Sequence, residues 1–239
     1  EGLDVAADLP IGTAAWNDDM DNVDAGEVLI TTDFNPPPDT LAGVVATPGT
    51  FLAGYYQNQL CASEPKYPYA WPIRYRKTTD YPIVALGVTS SGVVVATQGT
   101  PYFAEGLDPA AWDLRRIDVL LPCVAAHSVV DMGEYVLYAS PEGLVSVAGA
   151  QAKLITDTVI TPAQWQAYKP DSFKAYRYQQ RYLAFFDTGT TQAALLFDPA
   201  DLSLVEIDVH AVGGYWDLTA DTLFVQVGDA ICEWDKGAL

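Results

Sequence analysis

The chain has 239 residues, and its 12 Lys and Arg against 31 Asp and Glu give a formal net charge of −19. Such an acidic protein lacks the basic surface that nucleic acids and anionic membranes attract, so we expect no specific nucleic-acid binding and no membrane partner. Half of the residues are hydrophobic, which is enough apolar side chain for one or two buried cores.

The first 44 residues form an acidic, proline-containing segment, which we interpret as a connecting arm before a folded domain at residues 45–239. Residues 1–65 hold eleven acidic side chains and no Lys or Arg. Three prolines at 36–38 make a stiff break that cannot join a central strand, whereas residues 26–32 have the composition of a single strand. Because the chain starts with Glu1 and a long polar stretch, we expect it to be part of a longer protein.

Within this arm, Asn17, Asp19 and Asp21 alternate as ligands do at the start of an EF-hand loop. The rest of that loop is missing, because Asn22 stands where it needs Gly and Val28 where it needs the bidentate Glu. A solvated acidic linker is the favoured interpretation. We therefore predict no metal site and no cofactor.

The domain itself contains short β-branched or aromatic runs, each closed by turn residues. The runs are residues 52–56, 59–62, 83–88, 92–97, 101–104, 128–132, 135–139, 144–148, 175–178, 182–187, 194–198, 223–227 and 230–234. Runs of this length at intervals of about 8–12 residues predict an all-β sandwich, barrel or propeller.

A longer period underlies these runs. Units made of a polar turn, a strand and a second strand start at residues 57, 91, 133, 180 and 220, which lie 34, 42, 47 and 40 residues apart. Four strands in about 40 residues are what one propeller blade needs. The sequence therefore predicts an all-β fold, a β-propeller of about five four-stranded blades with an acidic N-terminal arm. A sandwich with irregular loops is the alternative.

Only two segments have helical signals. Thr161 precedes Pro162 and is followed three residues later by Gln164, which together predict a helix start with a capping box. Residues 108–112 have the composition of a second, single turn. We expect both to lie in loops between blades, each with an aromatic anchor.

The three cysteines, Cys61, Cys123 and Cys232, lie far apart in apolar runs. Their odd number and the absence of a CxxC pair argue against a disulfide framework or a zinc site. We expect reduced, buried thiols and synthesis in a reducing compartment.

No common catalytic pattern occurs in the sequence, since GxSxG, GxGxxG, GxxxxGK[ST] and HExxH are all missing. His127 and Ser128 are adjacent, and adjacent residues of a strand point to opposite faces. We predict that the chain is not an enzyme. A propeller glycosidase would need two carboxylates about 5–10 Å apart, and the sialidase Asp-box that begins at Thr219 has Leu223 where Gly belongs.

Residues 65–76 are the densest aromatic stretch, and they also hold three of the twelve cations. Prolines stiffen this loop, and Tyr, Trp and Arg are the residue types that most often anchor protein interfaces. We predict that Tyr67, Tyr69, Trp71 and Arg74 form an interface at a rim of the domain. Packing of the loop across the end of its own blade is the alternative.

An ordered series of short motifs resembles a known family. The motifs are PPPDTLAG at 36–43, AGYYQN at 53–58, ASEP at 62–65, AWP at 70–72, YPIVALG at 81–87 and ASPEGLV at 139–145, continued by Thr156 and Trp165. In this order they resemble β-propeller proteins of phage and prophage tails, of the tail-tubular, nozzle or hub type. The resemblance covers about residues 36–200.

This resemblance implies a non-enzymatic structural subunit of a virion tail, made in the bacterial host cytoplasm, whose partners are other tail proteins. It also implies self-association into a ring or tube in a larger full-length protein. An acidic wall suits a channel through which DNA must slide without being held. The alternative functions are a propeller glycosidase and a carbohydrate- or protein-binding module, of which a lectin would need exposed Trp or Tyr at equivalent blade positions.

Overall fold

The computed structural model describes residues 35–217 and 219–236, together with a short antiparallel strand pair, β1 (Leu3–Asp4) and β2 (Val28–Leu29). Within residues 35–217 and 219–236 the chain folds into five antiparallel sheets, each built from consecutive strands in chain order. We call these sheets blades 1 to 5. The candidate ligands Asn17, Asp19 and Asp21 and most of the predicted arm at residues 1–44 lie outside the described residues. Strand β3 already starts at Ala42, before the predicted division at residues 44 and 45, and the division itself stays a prediction.

The first two blades each contain four strands. Blade 1 consists of β3 (Ala42–Ala46), β4 (Leu52–Tyr56), β5 (Gln59–Ala62) and β6 (Lys77–Thr78). Blade 2 consists of β7 (Ile83–Thr89), β8 (Gly92–Thr97), β9 (Tyr102–Glu105) and β10 (Asp113–Arg116).

Blades 3 and 4 repeat this plan, and blade 5 has three strands among the described residues. Blade 3 consists of β11 (Val130–Asp131), β12 (Val136–Ala139), β13 (Leu144–Ala148) and β14 (Gln151–Leu154). Blade 4 consists of β15 (Lys174–Tyr178), β16 (Arg181–Asp187), β17 (Gln192–Asp198) and β18 (Ser203–Ile207). Blade 5 consists of β19 (Gly213–Asp217), β20 (Thr222–Val227) and β21 (Ala230–Glu233).

The blades stack face to face, and their first strands lie side by side in the order β3, β7, β11, β15, β19. This is the arrangement of a β-propeller, so the predicted fold class is confirmed. The helix α1 (Pro162–Ala167) is the only α-helix in the described part of the chain. None of the described helices is long and apolar enough to cross a membrane.

Four hydrophobic clusters fill the four spaces between consecutive blades. Leu60 and Val95 belong to the cluster between blades 1 and 2, Val94 and Val145 to the next, Leu137 and Leu195 to the third, and Phe185 and Val225 to the fourth. A blade in the middle of the stack must therefore be apolar on both faces. Strand β8 (GVVVAT) satisfies this requirement, because all six of its residues are buried.

Blade 5, at one end of the stack, is apolar on one face only. In β20, Leu223 and Val225 are buried, whereas Gln226 between Val225 and Val227 is exposed. One face of blade 5 packs on blade 4, and the opposite face carries Tyr215 and Ile231, which are 66% and 80% exposed. Among the described residues, no fifth cluster joins blade 5 to blade 1.

Both predicted helical turns are present, but only α1 connects two blades; the turn at residues 109–111 lies between β9 and β10 within blade 2, which corrects its predicted location. Thr161 Oγ1 accepts the Gln164 backbone N–H, and Gln164 Oε1 accepts the Thr161 backbone N–H (3.3 and 3.1 Å), which makes the capping box. The aromatic anchor is Trp165, which is 1% exposed and donates from Nε1 to the Ser140 carbonyl (2.8 Å). A 3₁₀ turn follows Asp108, whose carboxylate accepts the Ala110 N–H (2.9 Å).

Ser128 lies in a 3₁₀ turn before β11, not in the strand predicted from residue 128. Its Oγ donates to the Ala125 carbonyl (2.7 Å) and accepts the Ala139 N–H (3.0 Å), while its carbonyl accepts the Tyr182 hydroxyl (2.9 Å). Ser128 is thus a buried link between blades 3 and 4. The neighbouring His127 is exposed.

The predicted repeat is displaced in blade 1. The units at 91, 133, 180 and 220 fall on the turn between the first and second strand of their blades, whereas the unit at 57 falls between β4 and β5. The equivalent turn of blade 1 spans residues 47–51. The shift arises because β3 (AGVVA) is largely exposed and does not alternate between apolar and polar residues, so the sequence pattern does not identify it as a strand.

Two of the three cysteines are buried as predicted. All three are free; Cys61 and Cys123 are buried, and Cys232 is half-buried between blades 4 and 5. Burial raises the pKa of the Cys123 thiol to about 12, against the weaker opposing effect of its hydrogen bond with Ala125. This thiol therefore stays protonated at neutral pH.

Candidate functional site

The aromatic loop, residues 64–76, connects β5 to β6 and is held by its own backbone. The Glu64 N–H donates to the Ala70 carbonyl (2.8 Å) and the Ala70 N–H donates to the Tyr67 carbonyl (3.0 Å). The Lys66 N–H reaches Thr50 (2.9 Å) in the preceding turn of blade 1. With prolines at 65, 68 and 72, the loop has little backbone freedom left to lose.

Trp71 fastens this loop to its own domain. Its side chain is 3% exposed, its Nε1 donates to the Pro68 carbonyl (2.9 Å), and its backbone N–H donates to Asn35 (2.8 Å). Ala70 and Tyr75 on either side are also buried. Trp71 therefore packs within its own domain, as the packing alternative for the loop describes.

Tyr67, Tyr69 and Ile73 are the exposed large hydrophobic residues of the loop. They are 38%, 49% and 60% exposed, and the two tyrosine rings meet edge to face with centroids 6.0 Å apart. We call these three residues the aromatic patch. Ile73 was not among the predicted site residues, because an apolar side chain such as Ile is expected to be buried and only the structure shows its exposure.

Arg74 is engaged within the loop. Its guanidinium pairs with Glu64, donates to the Tyr75 hydroxyl (3.0 Å) and lies over the Tyr75 ring at 4.6 Å from the centroid. Burial raises the pKa of Tyr75, and the hydrogen bond from Arg74 lowers it in part. The structure thus brings all four predicted residues into one loop, with Tyr67 and Tyr69 exposed, Arg74 half-exposed and Trp71 buried; their role in binding stays a prediction.

A second candidate region lies where the first strands of blades 2, 3 and 4 meet. An open depression of about 430 Å³ there is lined by Ser90, Asp131, Glu134 and Arg177, and by Thr47 of blade 1. Asp131 Oδ1 accepts the Val88 N–H (2.8 Å) and Glu134 Oε2 accepts the Ser90 hydroxyl (2.8 Å). Both carboxylates therefore join blade 2 to blade 3.

Among the described carboxyls, Asp131 has the most strongly shifted pKa. Desolvation by the neighbouring strands raises its pKa to about 6, and the hydrogen bond from Val88 partly opposes this rise. Asp131 and Glu134 line the same depression, and each already accepts a hydrogen bond that links two blades.

Tryptophan exposure bears on the carbohydrate-binding alternative. Trp71, Trp112 and Trp165 are buried, and Trp216 and Trp234 are half-buried. None of the tryptophans in the described part of the chain is exposed in the way that a repeated sugar-stacking platform requires. Across the same residues, no group of three or more His, Cys, Asp or Glu side chains is placed to hold a metal ion.

No model of a known protein family matches this chain, and no curated protein matches it in sequence. Solved structures do resemble it. The β-propeller domain of Cps50 (Swd1) from Myceliophthora thermophila has a TM-score of 0.51 at 12% identity, over 81% of this chain and 64% of that one. Hsv2 from Kluyveromyces marxianus has a TM-score of 0.49 at 14% identity, over 79% of this chain and 60% of that one.

These likenesses concern the fold alone, because their sequence identities are low. The chain spans less than two thirds of the length of either structure.

Proposed function

We propose that this chain is a non-enzymatic structural subunit of a phage tail, of the hub, nozzle or tubular type, that works through protein contacts of its propeller. The propeller fold suits a protein-binding module, and the ordered motifs at residues 36–200 resemble tail propellers. The observation that carries the proposal is the aromatic patch, an exposed apolar surface on a loop that Trp71 and three prolines hold rigid.

The rigidity of the loop is what makes the aromatic patch a good contact surface. A partner that packs on Tyr67, Tyr69 and Ile73 gains apolar and aromatic contact without first ordering a mobile segment. The partners in this proposal are other tail proteins and further copies of the full-length protein, in a virion assembled in the bacterial cytoplasm. The net charge of −19 favours a subunit near the DNA channel, because it repels phosphate.

Electron microscopy and mass spectrometry of purified virions from the phage or prophage that encodes the chain test this assignment. We expect the protein in the tail, with a propeller-shaped density next to the channel. Virions that lack the protein would overturn the tail assignment.

Substitutions test the contact surface separately. Tyr69→Ala and Ile73→Ala should reduce incorporation of the full-length protein into tails several-fold, because truncating an interface anchor costs about 1–2 kcal/mol or more. Val205→Ala is the matched control, since Val205 is also exposed (51%) but lies on blade 4. Unchanged incorporation of both loop variants would exclude the aromatic patch from the interface.

A further inference from the structure

The strands of every blade run between two opposite sides of the domain, and these sides carry different loops. In an antiparallel blade, the turns between the first and second strands and between the third and fourth strands lie on one side. The turn between the second and third strands lies on the opposite side, together with the connection to the next blade. We call these the turn side and the crossover side. The aromatic patch lies on the turn side, since its loop joins β5 to β6, the third and fourth strands of blade 1.

A second exposed apolar surface lies on the crossover side. It consists of Tyr81, Val119 and Leu120, which are 38%, 41% and 69% exposed. Tyr81 belongs to the connection between blades 1 and 2, and the other two residues belong to the connection between blades 2 and 3. We call these three residues the crossover patch.

An ion-pair network holds the two connections together at the crossover patch. The Arg116 guanidinium pairs with Asp80 (2.8 Å) and with Asp118 (3.2 Å). These two carboxylates belong to the residues directly before Tyr81 and Val119 in the sequence. One side chain of blade 2 therefore brings both parts of the patch to the same place.

The two patches are bordered by opposite charge. The loop of the aromatic patch, residues 64–76, holds three cations and one carboxylate in a chain whose net charge is −19, and its Lys66 is exposed. At the crossover patch, Asp80 and Asp118 share the one guanidinium of Arg116, and the Asp118 side chain is almost fully exposed. The aromatic patch therefore has an excess of positive charge, and the crossover patch has an excess of negative charge.

From these observations we infer that the aromatic patch of one molecule binds the crossover patch of a second copy, so that copies of the chain stack head to tail. A second copy is the occupant because its crossover side offers both properties that the aromatic patch complements, exposed apolar side chains and an excess of negative charge. Lys66 of one copy then faces Asp118 of the next. A patch and its complement on opposite sides of one molecule make a heterologous contact, which repeats from copy to copy. This inference rests on the contact surface of the proposed function but not on the tail assignment.

Sedimentation velocity of the chain at about 1–200 μM measures the stacking. We expect monomers at low concentration and a growing series of oligomers at high concentration. Ile73→Asp and Leu120→Asp should each weaken self-association by at least about tenfold, because each brings a charge into one of the two apolar patches. Both residues are more than half exposed, so the fold should tolerate the substitutions, and Val205→Asp on blade 4 is the matched control that should change nothing.

A mixture of the two variants distinguishes head-to-tail stacking from other modes of self-association. Ile73→Asp keeps an intact crossover patch, and Leu120→Asp keeps an intact aromatic patch. Each variant alone should therefore be monomeric, whereas their mixture should form a one-to-one dimer and nothing larger. If the aromatic patch instead bound itself, Leu120→Asp would still dimerise alone and the mixture would contain no mixed dimer.

Charge reversal tests the pairing of Lys66 with Asp118 across the contact. Lys66→Asp and Asp118→Lys should each weaken self-association by about two- to tenfold, and the double variant should recover most of this loss. Asp tolerates the left-handed backbone at position 66, where φ is 68°, and Arg116 keeps its pair with Asp80 when Asp118 is replaced. Added salt should weaken the self-association of the unmodified chain.

Three results would each overturn the inference: a monomer at every concentration, dimers of Leu120→Asp alone, and a mixture of the two Asp variants that stays monomeric. Tail incorporation separates this inference from the proposed function. Incorporation that falls with Ile73→Ala but stays normal with Leu120→Asp, with self-association unchanged in both variants, would contradict the stacking and leave the proposed contact surface in place. Stacking that both Asp variants abolish, in a protein that virions lack, would support the stacking and contradict the tail assignment.

Discussion

Replacing Trp71 by Ala separates the packing role of the aromatic loop from its binding role. The indole is 3% exposed and donates to Pro68, so the substitution removes about 200 Å² of buried aromatic surface and one hydrogen bond. At about 25 cal/mol per Å² the burial alone is worth up to about 5 kcal/mol. Measured Trp→Ala changes in cores cost about 3–5 kcal/mol, and we expect a loss of stability in this range.

Urea unfolding followed by circular dichroism measures this loss in the whole chain. If the loop detaches before the blades unfold, part of the loss of stability will appear instead as faster exchange of the backbone amide of residue 71, which donates to the Asn35 carbonyl in the native loop. Both measurements are therefore needed. Assembly should fail together with the loop structure, not independently of it.

Tyr69→Ala is the matched control in the same loop. Tyr69 is 49% exposed, so its truncation should cost less than about 1 kcal/mol of stability while weakening any contact with a neighbour. The reasoning is refuted if Trp71→Ala changes neither the urea midpoint nor the amide exchange, or if the two variants are equally stable.

Three further predictions concern the blades. The pKa of Asp131 is raised to about 6 in the folded protein, so its contribution to stability is present below about pH 4 and is lost as the pH rises through 6. Asp131→Asn keeps an acceptor for the Val88 N–H, and its urea midpoints should change less with pH across this range than those of the wild type. Parallel pH profiles for the two proteins would contradict this prediction. Tyr182→Phe leaves the Ser128 carbonyl without its buried donor and should cost about 1–3 kcal/mol in urea unfolding, whereas a loss below about 0.5 kcal/mol would mean that the bond is dispensable. At Gly92 an added methyl carbon would lie 2.3 Å from the Ala104 carbonyl oxygen, so Gly92→Ala should lower stability by about 1–3 kcal/mol in thermal unfolding. Gly213→Ala is the control and should be neutral, because its added carbon meets nothing within 4 Å. If the two variants are equally stable, β8 can shift freely to make room for the methyl group.

Local sequence was sufficient for the strands that lie inside the blades. Strands β4, β5, β8 and β13 have the bounds predicted from their apolar runs. Strand β8 is the clearest case, because both faces of an inner blade must be apolar. The caps at Thr161 and Asp108 were equally predictable, since a capping side chain bonds to backbone only a few residues away.

The outer strands were not predictable in the same way. Strands β6, β10, β14 and β18 are short or polar, and most of their residues are exposed. They are strands because the third strand of each blade offers them an edge, which is a property of the assembled sheet and not of their own residues.

The candidate sites show the same division. Composition identified residues 65–76 as an unusual aromatic loop, but nothing in the sequence distinguishes the buried Trp71 from the exposed Tyr69 two residues earlier. Only the packing of the loop against residue 35 and its own prolines decides which ring faces solvent. The depression at Asp131 and Glu134 depends still more on tertiary structure, because residues from four blades line it. Sequence alone determined which segments must be buried, and long-range packing decided which edges and faces remain open, since exposure depends on neighbours that are distant along the chain.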